Sequence, residues 1–307
     1  MFKIGSFNCL NLGMAASKDI QTFADIILDG GFDIIALQEI KGHNGLNRIM
    51  ARLPSYWEGD ADDSVNDYAF IWNTRRFVLA NAEETGLSRE YKPRIYKQYK
   101  IDRKNGQTDL IREPFFARFF PTGGAAPYIE VRIINTHIRF SKGKSDNSED
   151  VNTPGAIAMR KNEFDVLTKA IYAKEADKRY GNNRPSYTIL LGDYNLNSPS
   201  STAKSPYLIE SFEIDDTIRS KKIITTIQKE LSTLKKKQED DSQDVDDNNI
   251  FANNYDHFTY DASSFRDVVV TCQRINTVDK YCDGDKEKHI KDISDHLPVM
   301  MNIDIRG

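Results

Sequence analysis

Four short polar clusters contain the side chains of this chain that could do acid–base or metal chemistry. They are Gln38-Glu39, Asn135-Thr136-His137, Gly192-Asp193-Tyr194-Asn195 and Ser294-Asp295-His296. Three of them follow apolar runs, and the fourth precedes one. Charged side chains are normally kept away from such runs unless the strand ends open into a cleft, so the clusters predict one shared site.

Glu39 is a candidate metal ligand. A carboxylate at a strand end is the hard oxygen ligand that Mg²⁺ uses, and Mg²⁺ often takes only one or two protein carboxylates. Taken alone, Glu39 could equally be a solvated side chain. Asn8, in Ser6-Phe7-Asn8, could simply satisfy a turn.

Asp193, Asn195 and two histidines offer the remaining chemistry. In an extended chain, Asp193 and Asn195 point the same way, which suits orienting a water and holding a phosphate oxygen. His137 and His296 can change protonation near neutral pH, and an adjacent carboxylate favours the imidazolium that stabilises a leaving oxygen. A single histidine is usually a hydrogen-bonded structural residue, but two of only five lie beside these motifs.

Alternating and helical apolar patterns predict the elements that position these clusters. A strand at 2–7, a helix at 19–28 and a strand at 34–37 open the chain. Further strands are predicted at 68–72, 77–80, 115–120, 128–135 and 188–191. Turn residues at 73–76 and 121–124 predict two hairpins, and a second long helix is predicted to begin near Thr153-Pro154.

The segment 221–249 is predicted to be a helical and acidic surface insertion in a single domain spanning 1–307. Apolar residues recur at helical spacing between lysines, at Ile224, Ile227, Leu231 and Leu234. The chain from 238 to 249 is strongly acidic, so we interpret it as a solvated loop, with binding of an unidentified protein partner as the alternative.

Composition excludes some classes of protein but does not identify the function. With 307 residues, 39% apolar and 29% charged, the chain can bury one large core. A net charge of −4 gives no global attraction to nucleic acid or anionic membranes, so a phosphate-binding surface must be local. Three cysteines are too few for a disulfide framework. No signal peptide or membrane-length apolar run is visible, which favours a cytoplasmic location, although a chain without its leader would look the same.

The ordered set of motifs resembles the endonuclease/exonuclease/phosphatase superfamily, whose relatives include deoxyribonuclease I, abasic-site endonucleases, neutral sphingomyelinases and inositol polyphosphate phosphatases. The similarity runs along nearly the whole chain, through Ser6-Phe7-Asn8, Leu37-Gln38-Glu39, Asn135-Thr136-His137, Gly192-Asp193-Tyr194-Asn195, Tyr255-Asp256-His257 and Ser294-Asp295-His296. The resemblance implies an α/β fold of the deoxyribonuclease I type, a four-layer sandwich with two packed mixed β-sheets flanked by helices.

The resemblance also implies a role for each cluster. Glu39 would bind a metal, helped by Asn8 and Asp295. The implied ion is Mg²⁺, with Mn²⁺ as an alternative and Ca²⁺ as a further structural ion. Asp193 would activate the attacking water for in-line attack on a phosphoester, and Asn195 would hold the phosphate.

By the same resemblance, the two histidines would act around the scissile phosphorus. His137 and His296 would stabilise the charge that develops there. Asp256 would pair with His296, which would fix its tautomer and favour its cationic form.

Two cations are candidate substrate contacts. The segment from Arg112 to Phe119, Arg-Glu-Pro-Phe-Phe-Ala-Arg-Phe, is similar to one that deoxyribonuclease I-like enzymes place before a central strand, where the arginine contacts DNA phosphate. Lys41 lies just after Glu39, where a second cation would help. The alternatives are a surface ion pair for Arg112 and a solvated Lys41. The stretch 89–104 interleaves cations with tyrosines, which suits nucleic acid or a basic hairpin without a ligand.

These features favour a Mg²⁺-dependent phosphodiesterase, an endonuclease acting on DNA and not on membranes. A phosphatase or phospholipid phosphodiesterase of the same superfamily is the alternative. It fits less well, because Asn197 stands where similar inositol phosphatases have arginine and Arg139 where sphingomyelinases have glutamine. A catalytically silent binding module acting through 221–249 is the alternative of a different class.

One departure from the deoxyribonuclease I pattern leaves the partner of His137 open. Those sites have a glutamate shortly before the strand at 68–72 that supports the first histidine. This chain has Ser64-Val65-Asn66-Asp67-Tyr68 there, so Asp67 and Asn66 are both candidates. The disulfide pattern of secreted relatives is also missing.

Overall fold

A computed structural model describes residues 1–14, 17–62, 67–80, 94–95, 100–103, 106–109, 112–123, 128–139, 156–180, 184–198, 211–214, 222–236, 250–265 and 268–305. Its strands are β1 (Phe2–Leu12), β2 (Ile34–Ile40), β3 (Trp57–Ala61), β4 (Tyr68–Asn73), β5 (Phe77–Leu79), β6 (Arg94–Ile95), β7 (Lys100–Arg103), β8 (Gly106–Asp109), β9 (Phe115–Pro121), β10 (Glu130–His137), β11 (Ser186–Asp193), β12 (Ser211–Ile214), β13 (Lys222–Thr226), β14 (Asp256–Asp261), β15 (Val268–Arg274) and β16 (Val299–Ile305). Its helices are α1 (Ile20–Gly30), α2 (Gly42–Met50), α3 (Ala156–Val166), a π-helical stretch (Leu167–Tyr172), α4 (Ala173–Asp177), α5 (Thr277–Cys282) and α6 (Lys286–Asp292).

The strands form two mixed sheets. The first has the order β15-β16-β1-β2-β4-β3, and the second has the order β12-β13-β14-β11-β10-β9-β5, with β6 beside β9. Strands β7 and β8 form a separate hairpin. β1 and β2 pair parallel in the first sheet, as do β10 and β11 in the second, whereas the other pairs of both sheets are antiparallel. The expected pair of mixed sheets is therefore confirmed.

Three apolar layers hold this sandwich together. The largest lies between the sheets, where the rings of Phe70 and Phe115 stack with centroids 5.2 Å apart. A second layer packs α1 and α2 on the outer face of the first sheet. A third packs Phe164 and Ile171 against Leu190 on the outer face of the second. Strands buried on both faces explain why the sequence shows continuous apolar runs rather than strict alternation.

The first helix follows the capping rules that its sequence predicts. Asp19 caps α1 by accepting a hydrogen bond from the backbone N–H of Thr22 at 3.2 Å, and Gly31 ends it in the left-handed conformation, at φ +63°. None of the helices in the described part of the chain is long and apolar enough to cross a membrane.

The turn at 73–76 connects the two sheets and does not form the predicted hairpin. β4 pairs with β2 and β3, whereas β5 pairs with β9. Asp33 fixes this turn to the first sheet, because its side chain accepts from Nε of Arg76 at 3.0 Å and its carbonyl oxygen accepts from the N–H of Asn73 at 2.9 Å. The second predicted hairpin is confirmed, since β9 and β10 pair antiparallel.

The predicted helix within 221–249 is wrong. Residues 222–226 form strand β13 between β12 and β14, and residues 227–236 continue outside any helix. The β-branched run Ile223-Ile224-Thr225-Thr226 favours a strand, and pairing with β14 outweighs the helical spacing of the apolar residues. The acidic stretch 238–249 lies outside the described residues. So does the basic stretch 89–104, apart from the backbone of β6 and β7.

Candidate active site

The predicted polar clusters meet where strands of both sheets end. The register places His137 opposite Asp193 across β10 and β11, and Asp193 opposite Asp256 across β11 and β14. Asp193 is almost fully buried. Its Oδ2 atom lies 3.4 Å from Nε2 of His137 and 3.6 Å from Nε2 of His296. One carboxylate oxygen therefore lies close to both imidazole rings.

Asn8 connects this group to the first sheet. It lies on β1, and its Nδ2 donates to Oδ2 of Asp193 at 3.0 Å and to Oε1 of Glu39 at 3.3 Å. Nε2 of His137 is 3.8 Å from the same Glu39 oxygen. Side chains from β1, β2, β10, β11 and the loop before β16 thus form one continuous cluster.

The amides of Gln38 and Asn135, next to the candidate catalytic residues, join the two sheets beneath the cluster. Nε2 of Gln38 donates to Oδ1 of Asn135 at 2.8 Å, and Nδ2 of Asn135 donates to the carbonyl oxygen of Leu37 at 3.0 Å. Gln38 also bonds the hydroxyl of Ser6 at 3.1 Å. All these polar groups are buried, so satisfying them fixes how the two strand ends face each other.

Asn195 braces the loop after β11. Its N–H donates to Oδ1 of Asp193 at 2.9 Å, and its Nδ2 donates to the carbonyl oxygen of Ile138 at 2.8 Å. Nη1 of Arg160 donates to the carbonyl oxygen of Asn195 at 2.7 Å. One amide hydrogen of Asn195 is thereby used, which leaves at most one for a substrate oxygen.

Two residues of the cluster have left-handed backbone. Glu39 has φ +53° and Asn195 has φ +50°. For a glutamate this conformation costs on the order of 1 kcal/mol. Such strain is typical of functional positions, where surrounding contacts hold a side chain in one direction.

His296 is held by Asp256. Its Nδ1 donates to Oδ2 of Asp256 at 2.9 Å. Burial disfavours the charged ring, but the carboxylates of Asp256 and Asp193 raise the pKa of His296 to about 10. The ring is therefore an imidazolium at neutral pH.

Asp193 titrates much closer to neutrality than an ordinary aspartate. Burial raises its pKa to about 7, and the imidazolium of His296 opposes that rise. A carboxylate with such a pKa is suited to accept a proton from water near neutral pH.

His137 differs from the expected imidazolium. Burial holds its pKa well below the usual value, and the nearby cations Arg112, His296 and Lys41 lower it further. Nη1 of Arg112 donates to Nδ1 of His137, so the neutral ring carries its proton on Nε2, facing Asp193. The two histidines take different charges because only His296 has a carboxylate on Nδ1.

Tyr68 is a residue of the site that sequence reasoning missed. Its buried hydroxyl oxygen accepts from the backbone N–H of His137 at 2.8 Å. Asp67 does not support His137, because it forms an ion pair with Nζ of Lys41. Asn66 lies outside the described residues. The predicted substrate contact Lys41 is therefore paired, while Arg112 lies directly against His137.

Two serines were also missed. The hydroxyl of Ser294 donates to the carbonyl oxygen of Asn8 at 2.7 Å and accepts from the N–H of His296 at 3.1 Å, which ties the last motif to β1. The hydroxyl of Ser232 donates to Oδ2 of Asp256 at 2.6 Å. A serine before Asp295 was visible in the sequence, but Ser232 lies in the segment interpreted as a surface helix.

The predicted metal ligands provide oxygen donors of the kind that hard cations need. The side chain of Glu39 is 19% exposed. Oδ2 of Asp295 lies 2.5 Å from Nζ of Lys236, and its Oδ1 is buried with no hydrogen-bond partner among the described residues. The described residues contain no cluster of three or more His, Cys, Asp or Glu suited to a metal.

Comparison with known proteins shows which family and which fold the chain resembles. Residues 5–296 match the Endonuclease/Exonuclease/phosphatase family. No curated protein matches the chain in sequence. Solved structures that resemble it include D. rerio TDP2 complexed with single strand DNA product, at 13% identity over 99% of this chain and 98% of that one, with a TM-score of 0.55.

Two further structures are similar over almost their whole length. One is ANGEL2, a 2',3'-cyclic phosphatase, in complex with adenosine-2',3'-vanadate. The match has 12% sequence identity and a TM-score of 0.55, and it covers 99% of this chain and 95% of the ANGEL2 chain. The other is truncated Caenorhabditis elegans TDP2, at 14% sequence identity and a TM-score of 0.50, with 99% of this chain and 97% of that chain covered. At these identities the similarity shows the fold.

Proposed function

The chain belongs to the endonuclease/exonuclease/phosphatase family, and on that premise we propose that it is a metal-dependent phosphodiesterase that hydrolyses DNA. Members of this family are hydrolases that act on phosphoester bonds. The observation that carries the proposal is the convergence of Asn8, His137 and His296 within 3.6 Å of one oxygen of Asp193.

In the proposed mechanism, Asp193 orients a water and takes its proton while the water oxygen attacks phosphorus in line. The bond to the leaving oxygen breaks opposite the attack, with no covalent enzyme intermediate. The imidazolium of His296 and the Nε2–H of neutral His137 stabilise negative charge on the phosphoryl oxygens. Glu39, Asn8 and Asp295 are the donors that would hold Mg²⁺ or Mn²⁺, whose charge polarises a phosphoryl oxygen when bound.

The cations beside His137 support a nucleic acid substrate. The guanidinium of Arg112 contacts His137, and Lys41 is close enough to lower the pKa of that ring. A planar guanidinium suits the two free oxygens of a backbone phosphate. TDP2 and ANGEL2 were solved with a DNA product and an adenosine vanadate, which agrees with this substrate class.

We expect the purified protein to nick supercoiled plasmid DNA with Mg²⁺ and to stop when EDTA removes the metal. His137→Ala, prepared identically, should lose the activity, which excludes a contaminating nuclease. Hydrolysis of phosphomonoesters or phospholipids without nicking would show that those compounds, and not DNA, are the substrates. Absence of any phosphoester hydrolysis would favour a silent binding module instead.

The proposed charges predict a bell-shaped dependence of kcat/KM on pH. Activity should rise through about pH 7 as Asp193 loses its proton and fall through about pH 10 as His296 loses its own. Asp256→Asn removes a negative neighbour that favours the imidazolium, so it should move the alkaline limb to lower pH. The measurement is kcat/KM from about pH 5 to about pH 11.

A flat profile would contradict both roles, and an alkaline limb that does not move in Asp256→Asn would remove His296 as its origin. Asp261→Asn is a matched control. Asp261 is a buried carboxylate on the same strand, β14, and it bonds Ser263 and Ser264 instead of a histidine. It should leave both limbs in place.

A further inference from the structure

The segment 231–236 lies beside the active site. It is extended and lies along the loop that carries Asp295 and His296. The N–H of Leu234 donates to the carbonyl oxygen of Asp295 at 2.8 Å, and the N–H of Leu297 donates to that of Ser232 at 2.8 Å. The side chain of Leu234 packs with Val278 and Leu297 in a small apolar cluster, which anchors the segment.

The hydroxyl of Ser232 has a fixed direction. Its oxygen accepts from the backbone N–H groups of Tyr255 and Asp256, each at 3.2 Å. Because both of these neighbours are donors, the hydroxyl hydrogen is free to point at Oδ2 of Asp256, 2.6 Å away. Ser232 is completely buried, so no solvent competes for this bond.

The oxygen that receives this bond is the one that holds the histidine. Oδ2 of Asp256 accepts from both Ser232 and Nδ1 of His296. Its other oxygen, Oδ1, is buried and has no hydrogen-bond partner within the described part of the chain. Within that part, Ser232 and His296 are therefore the two side chains that hold the rotation of the Asp256 carboxylate.

We propose that Ser232 is a positioning residue, which holds Asp256 in the orientation that directs His296 toward Asp193. This inference rests on the proposed function, and it gives part of the 221–249 segment a role inside the catalytic site. Ser232 does not touch the reacting atoms. It acts through Asp256, because its hydroxyl bonds the same carboxylate oxygen that accepts from Nδ1 of His296.

Kinetics of single variants give the first test. Ser232→Ala should lower kcat by about 10-fold or more with KM nearly unchanged, because a misplaced imidazolium stabilises the transition state less while substrate binding is unaffected. Ser232→Thr keeps the hydroxyl and should restore most of the activity. Thr233→Ala is the matched control, since the buried Thr233 hydroxyl accepts from the N–H of Asn253 at 2.9 Å and does not reach the carboxylate.

A double-mutant cycle separates positioning from simple destabilisation. If Ser232 acts through Asp256, then Ser232→Ala should have almost no further effect on kcat in the Asp256→Asn protein. Losses that multiply across the two positions would overturn the proposal. So would a kcat loss in Thr233→Ala equal to that in Ser232→Ala.

A spectroscopic measurement needs no substrate and so separates this inference from the proposed function. The Nδ1 proton of His296 should give a downfield, slowly exchanging ¹H NMR signal that Asp256→Asn removes, Ser232→Ala shifts and Thr233→Ala leaves unchanged. If this pattern holds but DNA is not hydrolysed, the function fails and the positioning contact stands. If DNA is hydrolysed and Ser232→Ala keeps both the wild-type signal and kcat, the positioning role fails.

Discussion

Asp193→Asn is expected to lower kcat by about 10³-fold or more while the protein still folds. The substituted amide has nearly the same shape, but it cannot take a proton from water. It also removes a negative charge that raises the pKa of His296. Both the base and part of the charge stabilisation are then lost together. Initial rates on plasmid DNA measure the loss of activity, and a thermal melt of the same preparation checks that the protein is folded.

The matched control for this prediction is the same chemical change at Asp261. That carboxylate is as buried as Asp193 and lies on the neighbouring strand, toward its far end. Asp261→Asn should alter kcat by no more than about twofold, because distant sites act independently. An Asp193→Asn protein that keeps more than about a tenth of the wild-type kcat would show that another group activates the water.

The convergence of the polar clusters could be predicted because it depends on strand ends. Parallel neighbours such as β10 and β11 place their carboxyl ends at one edge of a sheet, so side chains that follow each strand must lie together. The apolar runs before His137 and Asp193 located those ends. The resemblance of the ordered motifs implied the four-layer fold, and the apolar runs agree with it, since strands covered on both faces need helices outside two sheets.

The missing parts of the site depend on contacts that no local pattern marks. Ser232 contacts Asp256 from 24 positions away, in a segment whose apolar residues also recur at helical spacing. Tyr68 was visible as a strand residue, but its bond to the backbone of His137 needs both sheets in place. The neutral state of His137 likewise depends on burial and on Arg112, 25 positions before it. Sequence reasoning identified the ring but expected it to be charged.

Gly192→Ala is expected to disrupt both the fold and the site. A Cβ atom at this position would lie 1.9 Å from the carbonyl oxygen of Thr136, and the backbone has φ +135°, which side-chain-bearing residues rarely adopt. Thr136 is the residue paired with Gly192, so β10 and β11 would have to separate there. We expect a loss of about 3 kcal/mol or more in the free energy of unfolding. A thermal melt should show a fall of about 10 °C, or no folded protein.

Gly123→Ala distinguishes the steric effect from backbone strain. Gly123 also has positive φ, at +95°, but a Cβ atom there would meet nothing within 4 Å. Strain alone costs about 1 kcal/mol, so this variant should melt only a few degrees lower. Equal melting of the two variants would show that the close approach of β11 to Thr136 is unimportant. The close approach also matters for the site, because His137 and Asp193 form the next pair in the register and their 3.4 Å contact requires the strands to meet at Gly192.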